Sequence, residues 1–181
     1  MATARDWTRF LAVAAGYAAA FLVLRRATSF SLESPWFASA AMVCFLGLAF
    51  MARPLVPIRM PRGLRTLRGW EARLYRRLGV TVFGRLLRDT PLRWLNRDVY
   101  LGGRGRTTGE LSRQLEAAEA SHFWAAVLLA PYMVRLCFLG AWTALFWITV
   151  LQVLGNLYPV MHLRLTRHRL GRLAARPGPR R

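Results

Sequence analysis

The chain has 181 residues, 55% of them hydrophobic, and a formal net charge of +19. A soluble domain rarely combines the two, so the apolar and basic residues must be separated in space. The sequence contains no lysine, and its arginines flank apolar blocks instead of covering one face of a soluble fold, which speaks against nucleic acid as a partner and for anionic lipid headgroups.

Four apolar blocks follow one another: Phe10 to Leu24, Pro35 to Met51, Phe123 to Val134 and Leu136 to Leu163. A membrane-crossing helix needs about 20 apolar residues, roughly 17 at the least. The first block reaches that length by including Trp7 and Thr8. Arg5 and Arg9 precede it in the manner of a signal peptide, but it ends at Arg25-Arg26 without a small-x-small cleavage site, so it reads as a retained helix. Cys44 and Cys137 lie inside apolar blocks and imply no disulfide framework.

The second block covers 35–52, and the basic segment 53–121 follows. There Leu67, Trp70, Leu74, Tyr75 and Leu78 recur at helical spacing among Arg68, Arg73, Arg76 and Arg77, which predicts an amphipathic helix. It would lie in the headgroup plane, or be a cytoplasmic helix packed on a partner segment. Gly102 to Arg106 reads as a loop without the Lys-Ser/Thr pair of a Walker motif. The region 123–163 holds two spans, 123–139 and 141–163, with the turn marked by Arg135 and Gly140.

Arginine is dense over 53–113 and again over 164–181, so both regions are expected on the cytoplasmic side with an even number of spans between them. The expected fold is all-α: an integral membrane protein of the cell membrane with about four transmembrane helices in two hairpins. Its N- and C-termini would both be cytoplasmic, which leaves Arg25 and Arg26 awkwardly outside. One membrane domain is expected over 1–175, with a disordered basic tail at 176–181.

Glu116, Glu119 and His122 stand three apart just before the third span, on one helical face at the cytoplasmic edge. A carboxylate beside an imidazole can orient the ring and make it a general base toward a hydroxyl. The plainer reading is a helix start whose acids complement its dipole. Glu-x-x-His is also half of a dimetal motif, to which His162 and His168 could add; the second acidic half is missing and no metal is expected. Asn156-Leu157-Tyr158-Pro159 precedes Arg164, Arg167 and Arg169, which could clamp phosphate or carboxylate or serve as a stop signal.

These residues resemble the glycosyl-4,4'-diaponeurosporenoate acyltransferase family, small membrane enzymes that attach a fatty acyl group to a glycosylated carotenoid. Trp70-Glu71 with Leu74-Tyr75 and Leu78-Gly79-Val80 resembles the opening motif, and Ala118-Glu119-Ala120-Ser121-His122 the Ala-Glu-x-x-His motif. Asn156, Tyr158-Pro159, Arg164, Arg167, Arg169 and Leu170 resemble the closing segment. The likeness runs from about Trp70 to Arg172; Gly84-Arg85 replaces a Trp-Lys pair and Thr166 to Arg169 an Asn-Arg-Pro-Arg.

The resemblance implies transfer of an acyl group from a thioester donor such as acyl-CoA, with no cofactor, to a hydroxyl of a membrane glycolipid-like acceptor. His122 would be the base and Glu119 its orienter. Glu71, Tyr75, Asn156, Tyr158, Arg164, Arg167 and Arg169 would bind substrate, the arginines on the donor's phosphates or the headgroup. The competing expectation is a non-enzymatic membrane scaffold that organises a lipid or pigment pathway.

Overall fold

The computed structural model describes residues 3–28, 31, 33–52, 55, 58–91 and 107–175; the loop read at 102–106 and the tail read at 176–181 lie outside them. Among the described residues there is no strand. The helices are α1 (Ala4–Thr28), α2 (Pro35–Met51), α3 (Gly69–Arg77), α4 (Val80–Asp89), α5 (Thr108–Phe138), α6 (Trp142–Gln152) and α7 (Tyr158–Ala174). A 3₁₀ turn at Arg62–Leu64 precedes α3, and a π-turn at Val153–Leu157 joins α6 to α7.

Local chemistry sets the ends. Ser34 caps α2 by accepting the Phe37 N–H at 3.0 Å, with Pro35 in the first turn where its missing N–H costs nothing. Thr107 and Glu110 cap α5 reciprocally: Thr107 Oγ1 accepts the Glu110 N–H at 3.3 Å, and the Glu110 carboxylate accepts the Thr107 N–H at 3.0 Å. Gly140, with φ at +66°, reverses the chain after α5, so the turn falls at 139–141 and Arg135 remains helical. Gly79, at φ +75°, separates α3 from α4 in the same way.

The chain divides into two compact units. The first comprises Met1–Ile58 and Ser121–Leu157. Its core joins Ala38, Ala41 and Met42 of α2, Leu129 and Leu136 of α5, and Ala144 and Ile148 of α6. The π-turn runs close beside α2: a Cβ placed on Gly155 would meet Met42 Cε.

The second unit comprises Arg59–Ala120 and Tyr158–Arg181. Val80, Met161 and Leu165 form one cluster with Leu67, Ala72 and Tyr75 around it, and Leu115, Ala118 and Leu163 form another. The expected amphipathic helix is α3, with two apolar faces instead of one. Leu67, just ahead of it, and Tyr75 pack inward, while Trp70, Leu74 and Leu78 are exposed, followed by Val82 and Leu86 on α4.

Gly84 of α4 lies against His162 of α7, where an added Cβ would fall on the imidazole ring. A ring cannot yield as a flexible chain end can, so Gly84→Ala should destabilise the protein by about 1–3 kcal/mol. Thermal unfolding in detergent measures this; a melting temperature equal to the parent's would show that the ring relocates freely.

Among the described residues two stretches are long and apolar enough to cross a membrane, α5 with 31 residues and the run Trp142–Ala174 with 33. α2 is apolar but has 17 residues.

Candidate active site

In the first unit the polar residues are arranged as a line. His122, 8% exposed, places Nδ1 3.3 Å from Oδ1 of Asn156, which is fully buried in the π-turn. Asn156 Nδ2 donates to Oε1 of Gln152 and lies 3.4 Å from Met42 Sδ. Gln152 Nε2 donates to the Ala126 carbonyl at 3.1 Å.

That carbonyl can only accept, which fixes the direction of the whole line. Gln152 must give its NH2 to Ala126 and its oxygen to Asn156. Asn156 must then give its NH2 to Gln152 and its oxygen to the ring. Nδ1 of His122 therefore carries the proton, and Nε2 keeps the lone pair. Phe50 packs at right angles to the imidazole with centroids 5.2 Å apart, which holds the ring plane.

In the second unit Arg164, 5% exposed, is the hub. Its NH1 donates to Tyr75 Oη at 2.7 Å and Glu71 Oε1 at 3.3 Å; its NH2 donates to the carbonyls of Leu64 at 2.9 Å and Thr66 at 3.1 Å. Nε lies 3.4 Å from Glu119 Oε1. Arg167 NH2 reaches Glu119 Oε2 at 2.9 Å and donates to the Arg65 carbonyl at 2.8 Å. The Glu119 contacts are charge pairs that lack good hydrogen-bond angles.

Glu119 is fully buried, ahead of the apolar stretch that begins at Phe123. Burial pushes its carboxyl up to about 7 against the pull of Arg167 and Arg164. Burial likewise raises the Tyr75 phenol, although Arg164 beside it pulls the other way. Glu71 also accepts the Arg68 N–H at 2.7 Å, so it caps α3 and joins it to α7.

The residues read from the sequence thus fall into two groups. Glu71, Tyr75, Glu119, Arg164 and Arg167 come together in the second unit, and His122 and Asn156 in the first. Tyr158 Oη donates to the Leu78 carbonyl at 2.8 Å and its ring packs on Phe83, tying α7 to the α3–α4 turn. Arg169 is exposed. Among the described residues no three of His, Cys, Asp and Glu gather as metal ligands do.

Sequence reading passed over Gln152 and Arg65. Gln152 could have been found as a polar residue in an apolar run, one helical turn before Asn156. Arg65 contributes its carbonyl to Arg167 and its side chain to Glu116, with Nε 3.6 Å from Oε1, and no spacing rule signals such a role.

Residues 61–176 match the model of the glycosyl-4,4'-diaponeurosporenoate acyltransferase family. The chain belongs to this family. The match takes in both polar groups and α3 to α7, while α1 and α2 lie outside it. It places the protein among the acyltransferases of carotenoid biosynthesis, as the three motif stretches implied. No curated protein and no solved structure matches the chain.

Proposed function

We propose that the protein esterifies a hydroxyl of a glycosylated carotenoid, or a similar membrane glycolipid, with a fatty acyl group from a thioester donor such as acyl-CoA. The observation that carries this reading is the buried His122–Asn156 pair within the family-matched residues, whose hydrogen-bond direction leaves Nε2 as a base. Nε2 takes the proton of the acceptor hydroxyl as its oxygen attacks the thioester carbonyl carbon. The C–S bond then breaks, and the imidazolium returns the proton to the departing thiolate. Products are the ester and a free thiol, and no acyl-enzyme is needed.

Asn156 takes over the orienting role first given to Glu119. Glu119, Glu71 and Tyr75 hold Arg164 as a fixed frame, and Arg167 and Arg169 meet the anionic part of the donor or the headgroup. Four spans in two hairpins, with both termini and segment 53–121 cytoplasmic, remain our topology. The exposed Trp70, Leu74 and Leu78 among arginines support α3 lying in the headgroup plane.

The full chain, purified in detergent with acyl-CoA and the glycosylated carotenoid, should yield the ester by mass spectrometry; a failure of all thioesters tried would sink the assignment. Asn156→Leu removes the acceptor that fixes the tautomer at Nδ1 and should lower kcat about 10- to 100-fold, a part of what a general base contributes. KM should change little, and an unchanged kcat would remove Asn156 from the mechanism. Reporter tags before residue 116 and after residue 170 should report the same side of the membrane.

A further inference from the structure

The second unit contains a cleft of about 500 Å³. Its walls are Arg65 and Thr66 ahead of α3, Ser112 on α5, and Arg167, His168 and Arg172 on α7, with Arg164 at the back. No carboxylate is among the described residues that line it. The volume falls within the roughly 300–1,000 Å³ of small-molecule sites, too large for a lone carboxylate.

The charges do not cancel. Arg164 and Arg167 are held from behind by the buried Glu119, Arg164 also by Glu71, and Arg65 is met loosely by Glu116. Those three carboxylates stand against four arginines, and Arg172, exposed on the last turn of α7, provides the excess. Arg164 turns both terminal nitrogens inward, so it stiffens the wall and does not reach for a ligand. Arg167 is anchored through NH2 alone in its described contacts, while its side chain remains 17% exposed.

Ser112 and Thr66 add hydroxyls, and His168 a ring nitrogen. Forked guanidiniums, hydroxyls and an imidazole around a cavity of this size are the equipment of a phosphate site.

We infer that this cleft binds a phosphate-bearing group, with Arg65, Arg167, Arg172 and Ser112 as its ligands. The inference rests on the proposed acyl transfer only in its choice of source. The same chemistry fits the adenosine bisphosphate end of a coenzyme A thioester and the headgroup phosphate of an anionic lipid. The donor is favoured because the cleft exceeds what one lipid phosphate fills.

The test uses the full chain in detergent and in nanodiscs, with adenosine 3',5'-bisphosphate as the soluble probe. Calorimetric titration should show one bound bisphosphate, weakened about tenfold in Arg172→Gln and again in Ser112→Ala. Arg172 is exposed, so its replacement leaves the core intact. In the turnover assay Arg172→Gln should raise KM for acyl-CoA more than it lowers kcat, and the bisphosphate should compete with acyl-CoA.

If the bisphosphate does not bind, but anionic phosphatidylglycerol binds the parent more tightly than Arg172→Gln in otherwise neutral nanodiscs, the phosphate site stands with the lipid as its source. Bisphosphate binding without any acyl transfer would keep the site and refute the proposed reaction. Equal behaviour of parent and both variants toward both probes would overturn the inference.

Discussion

His122→Ala is expected to abolish the acylated carotenoid and let its glycosylated precursor accumulate, in cells whose membranes contain normal amounts of the variant. A positioned base contributes about 10²–10⁴-fold to such a transfer, so residual product should fall to about 1% or less. The variant should remain folded, because truncating the ring removes its contact with Asn156 and leaves the rest of the Asn156–Gln152–Ala126 line in place. His122→Gln separates the two roles: it can still donate to Asn156, yet it has no basic nitrogen. It should fold like the parent and be as inactive as the alanine variant. Pigment extracts resolved by chromatography measure both variants, and acylated product at the parental level in either would remove His122 as the base.

The largest loss of stability is expected at Arg164. Its replacement by alanine would take the shared counter-charge from Glu71 and Glu119, leave Glu119 to Arg167 alone, and leave the carbonyls of Leu64 and Thr66 without a donor. Breaking a buried charge network by removing one partner costs about 3–5 kcal/mol. That is a large part of a total stability of about 5–15 kcal/mol. Arg164→Lys should recover little, since one ammonium cannot address Tyr75, Glu71 and two carbonyls through a planar fork. Pairing Arg164→Met with Glu119→Gln removes the fully buried charge and should return part of the loss. The measurement is thermal unfolding in detergent, read beside the yield of membrane-inserted protein. Melting of Arg164→Ala within a degree of the parent would show that the cluster contributes no stability.

Helical content and the two long apolar stretches were legible because composition and 3.6-residue periodicity act locally. The ends were less so. α5 begins at Thr108, fifteen positions before its apolar stretch at Phe123, because the Thr107–Glu110 capping box starts it in polar sequence. The basic stretch around Leu67 to Leu78 was readable as amphipathic. Its second apolar face was not, since Leu67 and Tyr75 gain their partners only when Val80, Met161 and Leu165 arrive.

The motif residues were visible through order and resemblance, but their wiring was not. Whether Glu119 meets a ring or a guanidinium depends on where α7 runs, and no spacing along α5 encodes that. The π-turn was likewise hidden: one extra residue in a helical turn decides that Asn156 faces His122, and the run Val153–Leu157 contains no breaker other than Gly155.

The partners of Arg164 come from far upstream, 93 residues away at Glu71 and 100 at Leu64. Local helices form before contacts of such separation. During translation, therefore, α3 and α5 emerge and coil while Glu71 and Glu119 still await the guanidinium. α7, made after them, is the helix that locks the earlier ones in register. A nascent chain interrupted before Arg164 would leave Glu71 and Glu119 without that guanidinium and the Leu64 and Thr66 carbonyls without their donor.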